Sequence, residues 1–454
     1  MSAYAFFRGQ LMAPGRWLAL GLVMAVTGMA GIWRLPYLAG QHGGMYFLAV
    51  YGLALIAMGW PLLAGQLLLT RGQGGDLVRL LAHRTPEPWA PVARLVGGCL
   101  LVAIAALLAV YAVVTSWVLA YTARALGGDI AGQTSVALGN DFAQFLREPE
   151  RGLGWLLLFW IVIALVAALF NARQVWRALA GLFGLAFCLV VALALHGHGF
   201  DSARFGDLLA PGPMRVGDGL VAITQAFYAL GLGSGVALAL GQTMTANTPV
   251  FRSAGLAVLL VAAIGLASCL AWPMIFEPGA LAQLASITAV LQHAPAALAD
   301  RLDLGLFYAL LTILALSSAI ALFEVLLQTL VLASGLSRAR SALSLAGLLL
   351  ILGLCVQHDL AVAVDGQPRF FDLLTMLAAD IVFPLTALWL VFLLGVLIPP
   401  ATLFGEPALA GRRLPGASQI WQALLRHPAR LGVIMVGCQT LGLVALVRRF
   451  WSVS

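Results

Sequence analysis

The residues whose types and spacing best suit the binding of a ligand are glycines inside apolar segments. Residues 27–31 read TGMAG within the apolar stretch 22–44, and Arg34 and Pro36 follow them. Glycine interrupts a helix at little energetic cost and leaves peptide groups unpaired. Unpaired peptide groups at membrane depth are tolerated where they line a cavity or bind a ligand. This stretch therefore predicts a broken membrane helix whose gap is a binding site, with an arginine just beyond it.

A second interruption lies five apolar spans later. Residues 225–235 read QAFYALGLGSG, with glycines at 231, 233 and 235. Interrupted hydrophobic segments at matching places in two halves of a chain indicate the binding site of a transporter. The alternative is that these glycines only let helices pack closely, as small residues do in membranes. The repetition at matching places favours the binding site.

The chemistry expected of an enzyme is not apparent in the sequence. The chain has no clustered His, Cys, Asp and Glu, no nucleophile elbow and no phosphate-binding loop. Its five cysteines lie singly in or beside apolar segments, without metal-ligand spacing, and are typical of small core residues. We therefore predict neither an enzyme nor an organic cofactor.

The composition predicts a protein embedded in a lipid bilayer. The 454 residues are 62% hydrophobic and 9% charged, and the mean hydropathy is +0.99. Soluble domains have roughly 45–50% apolar and 25% charged residues. The net charge of +7 comes from arginine alone, because the chain contains no lysine. These arginines lie in short loops between apolar spans, which argues against nucleic acid as a partner.

The elements that must position the two glycine clusters are apolar spans of about 20 residues or more. The spans, numbered 1 to 11 in chain order, cover about 17–40, 45–70, 93–125, 153–171, 176–196, 217–245, 254–276, 303–333, 341–358, 371–398 and 430–448. They predict an all-α polytopic membrane protein with one domain, 1–454. Its first repeat would cover about 17–196, its inverted second repeat about 217–398, and an extra helix about 430–448.

The charges of the loops predict the orientation of these spans. Arginines concentrate in alternate loops, and most acidic residues lie in the others, which follows the positive-inside rule when the N-terminus is cytoplasmic. We therefore predict a multi-pass protein of the inner (plasma) membrane. Eleven spans would place the C-terminus outside.

Four motifs together resemble one known family. They read GIWRLPYLAGQHGG, GWPLLAGQLLLTRGQGG, QAFYALGLGSG and LSSAIALFE, in spans 1, 2, 6 and 8. In this order the motifs resemble the neurotransmitter:sodium symporter family, whose leucine-transporter fold has 5+5 inverted repeats with broken helices 1 and 6. The resemblance covers about residues 17–398. It implies a site for an amino acid or amine at the two breaks, with sodium beside it.

The resemblance implies a neutral α-amino acid as substrate. Tyr111, five residues before Ser116, matches the family's tyrosine that binds the substrate carboxylate, and the helix-end amides around Gly28 and Ala30 would add positive dipole. The alternative is a packing tyrosine. The pocket walls carry no charge; they are Val26, Leu107, Phe227, Tyr228, Gly231, Ser234 and Leu322.

The family's two sodium sites are matched unequally. The first site loses its side-chain oxygens, because Gly31, Ala229 and approximately Ala262 occupy its positions. The second site is matched by the carbonyls of Met24, Thr27 and Leu314 and by the hydroxyls of Ser317 and Ser318. The alternative for the serine pair is hydrogen bonding back to the preceding helical turn. We therefore expect one sodium ion.

The ionisable and gate residues also differ from the family pattern. Arg34 matches the outer-gate arginine, while Thr375 aligns with its usual aspartate partner, with Asp372 and Asp380 nearby. The inner-gate tryptophan near the N-terminus is missing, and its aspartate partner becomes Leu332. Glu324, if buried away from cations, could carry a proton.

We therefore predict sodium-coupled symport of a neutral amino acid by alternating access through a single sodium site. Three alternatives stay open at this point: proton-coupled transport, sodium-independent transport, and a membrane amino-acid sensor that has lost transport.

Overall fold

The computed structural model describes residues 14–196, 210, 212–245, 247–276, 282–298, 300–363, 369–399, 402 and 417–442. Within these ranges the chain consists of helices and loops, without a strand. Eight described helices are long and apolar enough to cross a membrane, and one bent helix pair would make a ninth.

The helices, numbered here in chain order, are α1 (Pro14–Thr27), α2 (Ala30–Gln41), α3 (Met45–Thr70), α4 (Leu77–Arg84), α5 (Ala90–Gly127), α6 (Ser135–Arg147), α7 (Pro149–Leu169), α8 (Ala172–His196), α9 (Val216–Ala229), α10 (Val236–Thr243), α11 (Val250–Ile275), α12 (Ile287–Ala297), α13 (Arg301–Ser334), α14 (Arg338–Val362), α15 (Arg369–Leu397) and α16 (417–440).

The predicted spans correspond well to these helices. Eight of the eleven coincide with single long helices, α3, α5, α7, α8, α11, α13, α14 and α15. Span 1 is the bent pair α1 and α2, and span 6 is divided into α9 and α10. Span 11 begins within α16, and its part beyond residue 442 lies outside the described residues.

The break in span 1 is centred on a glycine. Gly28 has φ +54°, in the left-handed region that side chains disfavour. The two halves of the span meet there at an angle of 63°. Because α1 ends at Thr27, the carbonyls of residues 24–27 have no partner within the helix. The predicted break therefore exists, and it leaves free peptide oxygens at its edge.

The break in span 6 covers residues 230–235. Gly231, Gly233 and Gly235 have φ values of 56°, 79° and 81°. The hydroxyl of Ser234 donates to the Gly231 carbonyl at 2.7 Å and satisfies one of the carbonyls in this turn. The three glycines therefore have a conformational role here in addition to any effect on helix packing.

The two breaks are supported by long helices packed in pairs. The long helices α5 and α13 pack on each other, and α7 packs on α14. The first half of span 1, α1, packs on α8, α11 and α13, while α10 packs on α3. The breaks are therefore held between these helices, with α5 and α13 on one side.

One feature of α15 was not predicted. Residues Met376–Val382 form a π-helical segment between two α-helical parts. The wider turn exposes backbone carbonyls to partners on other helices, as π-bulges commonly do.

Candidate functional site

A cavity of about 510 Å³ lies where the two breaks meet. Span 1 contributes Ala25–Met29 on the α1 side and Trp33 and Arg34 on the α2 side. The cavity continues to residues 285–287, just before and at the start of α12. In contrast, Leu18, Leu22 and Val23 of α1 are 2%, 1% and 0% exposed. The cavity therefore extends toward α2 and α12, while the inner part of α1 is packed shut.

Two buried hydroxyl groups in the wall of this cavity make no hydrogen bond of good geometry within the described residues. They are Tyr111 Oη on α5 and Ser318 Oγ on α13, which lie close enough to interact with each other. A Cβ added to Gly28 would lie 3.7 Å from the tyrosine oxygen and 3.4 Å from the serine oxygen. The tyrosine hydroxyl also lies near the Met29 backbone N–H. Buried polar atoms are usually satisfied, so this arrangement is typical of a site that receives a polar ligand.

Eight of the ten predicted substrate residues line the cavity. They are Val26, Gly28, Leu107, Tyr111, Tyr228, Gly231, Ser234 and Leu322. The side chain of Ala30 lies outside the described residues. The residues come from four helical segments and two breaks, so the fold brings together positions separated by up to almost 300 residues in the chain.

One residue of the predicted pocket needs correction. Phe227 does not line the cavity: it is 0% exposed and packs edge-to-face behind Tyr228, with ring centroids 5.2 Å apart. Gly231 does not leave free volume at its own position, because an added Cβ would meet Val26 Cγ1 at 3.0 Å. The glycine instead lets the second break approach the first.

The five predicted sodium ligands lie around the end of α1 and the facing part of α13. Thr27 and Ser318 line the main cavity, while Met24, Thr27 and Leu314 line a neighbouring apolar cavity of about 380 Å³. Ser317 is fully buried and donates its hydroxyl to the Ile313 carbonyl at 2.6 Å. A hydroxyl that donates one hydrogen bond keeps its oxygen lone pairs.

The donor set is suited to a hard cation. Such ions prefer several oxygen ligands, and residues 24–27 supply carbonyls without helical partners. The helical back-bond of Ser317 is the alternative weighed from the sequence, and it leaves the oxygen able to bind a cation as well. Ser318 Oγ makes no hydrogen bond of good geometry in the described part of the chain.

The positions aligned with the family's first sodium site carry no side-chain oxygen. Gly31 and Ala229 line the cavity, whereas Ala262 lies on α11 outside the cavity lining. The cavity wall at Gly31 is closed by Thr27, whose Cγ2 would lie 2.8 Å from an added Cβ.

At the α2 end of the cavity, the charged neighbour of Arg34 is Asp380 rather than Thr375. Thr375 lines the cavity, but its hydroxyl donates to the Phe371 carbonyl of its own helix at 2.9 Å. Asp380, in the π segment of α15, interacts electrostatically with Arg34. Arg34 itself is exposed. An acidic residue near the arginine therefore lies five residues after the predicted position, without forming an ion pair with it within the described residues.

Hydroxyl groups from two other helices hold this π segment. Tyr228 Oη donates to the Ala379 carbonyl at 2.9 Å, and Thr440 Oγ1 donates to the Asp380 carbonyl at 2.9 Å. Thr440 belongs to α16, outside the two repeats. These contacts could not be predicted from the sequence, because the extra residue of a π turn has no periodic pattern.

Glu324 requires a correction, because it is not buried away from cations. Its side chain is 1% exposed and forms two hydrogen bonds with Arg338, from Nη2 to Oε2 at 2.6 Å and from Nη1 to Oε1 at 3.0 Å. Gln328 donates a third hydrogen bond at 3.0 Å. The Arg338 Nε also bonds carbonyls at the end of α7. Arginine stays charged, so the premise for a proton carrier at Glu324 fails.

Comparisons with known proteins agree with this architecture. Residues 17–140 match the Sodium:neurotransmitter symporter family. The chain is 27% identical over 460 residues to YhdH of Bacillus subtilis (strain 168), an uncharacterized sodium-dependent transporter, covering 95% of this chain and 99% of the relative. It is 24% identical over 399 residues to an uncharacterized sodium-dependent transporter of Haemophilus influenzae (strain ATCC 51907 / DSM 11121 / KW20 / Rd), covering 82% and 86%.

A solved structure has the same fold. The crystal structure of MhsT in complex with L-phenylalanine superposes with a TM-score of 0.78 and 23% sequence identity, covering 93% of this chain and 98% of MhsT. The matched family is one of transporters, in line with the prediction that the chain is not an enzyme. The predicted resemblance and fold are therefore confirmed: residues 17–140 match the sodium:neurotransmitter symporter family, and the chain is a multi-pass membrane protein with the leucine-transporter fold.

Proposed function

We propose that the protein carries out sodium-coupled symport of a neutral α-amino acid by alternating access, with one sodium ion in each cycle. The observation that carries this proposal is the pair of buried hydroxyls, Tyr111 Oη and Ser318 Oγ, which lie beside the Gly28 break and make no hydrogen bond of good geometry within the described residues. One hydroxyl would bind the substrate carboxylate, and the other would bind the ion.

The amino-acid backbone of the substrate would bind at the break in span 1. The Tyr111 hydroxyl and the first backbone N–H groups of α2 would donate to the carboxylate, because helix N-termini favour anions. The carbonyls at the end of α1 would accept from the ammonium group. Gly28 keeps the space between these groups free of a side chain.

The side chain of the substrate would be uncharged. Val26, Leu107 and Leu322 are apolar parts of the wall, and Tyr228 closes it toward α15. Arg34 lines the α2 end of the cavity, and Asp380 lies close enough to interact with it electrostatically. A charged side chain in the wall region would lose hydration without gaining a partner. MhsT, which has the same fold, binds L-phenylalanine, and this supports an apolar substrate.

Sodium would bind between α1 and α13. The free carbonyls of Met24 and Thr27, the Leu314 carbonyl and the two serine hydroxyls are the oxygen ligands we assign to it. Both matched relatives are named sodium-dependent transporters. Because the first-site positions Gly31, Ala229 and Ala262 lack side-chain oxygens, we assign one ion to the chain.

Arg34 and Asp380 would close the cavity on the α2 side after the substrate binds. In this structure the cavity extends toward the α2 side, and on the opposite side α1 is packed against its neighbours. We therefore assign the structure to an outward-facing state. The arginines between α3 and α5 support an N-terminus in the cytoplasm under the positive-inside rule. The membrane would be the inner (plasma) membrane, and residues 1–454 would form one transport domain with two inverted repeats.

Ligand-induced stabilisation of the purified protein tests this assignment. We expect neutral amino acids with apolar side chains to raise the melting temperature in sodium chloride, since a ligand that binds only the folded state stabilises it. The increase should be much smaller in potassium chloride. L-phenylalanine, L-leucine and L-alanine are the first probes, with L-glutamate and L-arginine as matched controls. Stabilisation by the charged probes alone, or equal stabilisation in both salts, would contradict the proposal.

A further inference from the structure

The inner half of span 1 approaches helix α8 unusually closely. A Cβ added to Gly21 would lie 2.5 Å from the Trp176 carbonyl oxygen and 3.4 Å from the carbonyl carbon. Real Cβ atoms do not come this close to backbone atoms, so only glycine permits the observed distance between α1 and α8. Trp176 is 0% exposed, so its side of the contact is shielded from solvent.

A second contact lies one turn away on the same pair of helices. The guanidinium carbon of Arg177 stands 5.3 Å from the centre of the Trp17 ring, in a cation–π arrangement. Trp17 and Gly21 are four residues apart in α1 and therefore share a face. Trp176 and Arg177 are adjacent in α8. The two contacts thus join the same face of α1 to the same part of α8.

These contacts sit on the side of the cavity that is packed shut. The cavity extends from the break toward α2, whereas Leu18 and Leu22, on the turns between Trp17 and the break, are buried. The 63° bend at Gly28 makes α1 a separate rod from α2. An opening of the cavity on the α1 side therefore requires α1 to separate from its neighbours, and α8 is the one that it touches through backbone.

We propose that Trp17, Gly21, Trp176 and Arg177 form a latch, the α1–α8 latch, that stabilises the state closed on the α1 side and must release for the cavity to open there. This inference rests on the proposed transport function. The latch has two parts of different character. The Gly21–Trp176 approach sets the distance between the helices, and the Trp17–Arg177 stack adds a contact that is broken when they separate.

The two parts predict different sizes of effect. A cation–π pair at an exposed position contributes about two- to fivefold in an equilibrium constant. Arg177 is exposed, so its removal should shift the open population by about that factor without disturbing the core. Gly21→Ala places a methyl group against the backbone carbonyl of Trp176. We expect a larger shift in the open population, because a backbone carbonyl cannot rotate aside as a flexible side chain can.

Hydrogen exchange followed by mass spectrometry tests the latch in the full-length protein reconstituted in lipid nanodiscs. We expect Arg177→Ala to accelerate exchange of peptides covering residues 16–27 by about two- to fivefold, and Gly21→Ala to accelerate it further. Peptides of α7 and α14 should be unchanged. Arg177→Lys, which keeps the charge but loses the planar stack, should have an intermediate effect.

Two variants on the same helix serve as matched controls. An added Cβ at Gly181 has nothing within 4 Å, and Arg173 is exposed four residues before Arg177. Gly181→Ala and Arg173→Ala should therefore leave the exchange of residues 16–27 unchanged.

The latch is refuted if Arg177→Ala leaves this exchange unchanged, or if the controls change it equally. A uniform acceleration over the whole chain would likewise overturn the latch, because it would mean general destabilisation. The measurement needs neither substrate nor sodium. If the exchange results support the latch but the protein shows no amino-acid uptake, only the proposed function is rejected. If uptake is normal but the variants leave the exchange of residues 16–27 unchanged, only the latch is rejected.

Discussion

The Tyr111→Phe variant tests how the substrate carboxylate is recognised. In the free protein the Tyr111 hydroxyl is buried and makes no hydrogen bond of good geometry within the described residues, although Ser318 and the Met29 N–H lie near it. Its removal should therefore change the stability of the free protein little, because only weak interactions are lost and a poorly satisfied buried group disappears. In the bound protein the same hydroxyl would donate to a carboxylate. We therefore expect the variant to lose substrate affinity while it keeps its stability.

The size of the loss follows from the charge of the acceptor. A hydrogen bond to a charged group contributes about 1.5–3 kcal/mol, which corresponds to a roughly 10- to 150-fold increase in Kd. Isothermal titration calorimetry with L-phenylalanine in saturating sodium chloride measures this change directly. Thermal unfolding without ligand measures the stability of the same samples.

Tyr121→Phe is the matched control for this experiment. Tyr121 lies on the same helix, ten residues further on, and its buried hydroxyl also makes no hydrogen bond of good geometry within the described residues, although Arg124 lies near it; it does not line the cavity. Its ring packs against Phe142 and Tyr308 instead. We expect its removal to leave Kd unchanged. An unchanged Kd in Tyr111→Phe, or equal losses in both variants, would refute the carboxylate assignment.

Three further variants test the sodium site, the gate at Arg34 and the role of Glu324. Joint replacement of Ser317 and Ser318 by alanine should abolish the sodium dependence of amino-acid binding, because it removes both hydroxyl ligands; persistent sodium dependence would place the ion elsewhere. Asp380→Asn should increase the alkylation rate of a cysteine introduced at the α2 end of the cavity, since Arg34 loses its charged partner, whereas Thr375→Val should not; equal rates in the two variants would contradict this gate. Glu324→Gln should lower the free energy of unfolding by about 1–3 kcal/mol, because its arginine partner is left unpaired, while the pH dependence of uptake stays unchanged; loss of that pH dependence would restore the proton-carrier hypothesis.

The parts of the fold that follow from local sequence were predictable. Apolar length predicts each long helix, and the positive φ angles of Gly28 and Gly231 explain why glycine marks the breaks. The convergence of Tyr111 with the first break was predicted through the family resemblance, and the structure places both in one cavity.

The contacts that the sequence did not reveal depend on partners distant in the chain. Glu324 and Arg338 lie on different helices, so no helical periodicity pairs them. The electrostatic interaction of Asp380 with Arg34 depends on a π turn that shifts the register of α15. Phe227 lies near the end of a helix next to a break, where the sequence alone does not determine which way a side chain faces, and its ring packs behind Tyr228.

Uptake of a labelled amino acid into proteoliposomes tests the central claim most directly. Vesicles loaded with potassium chloride and diluted into sodium chloride should accumulate L-phenylalanine above its external concentration, and vesicles diluted into potassium chloride should not. With one sodium site, the initial rate should depend hyperbolically on sodium concentration, with a Hill coefficient of about one, because a single site has no second site to cooperate with. Accumulation that is independent of sodium would contradict sodium coupling, and a Hill coefficient of about two would contradict the single site.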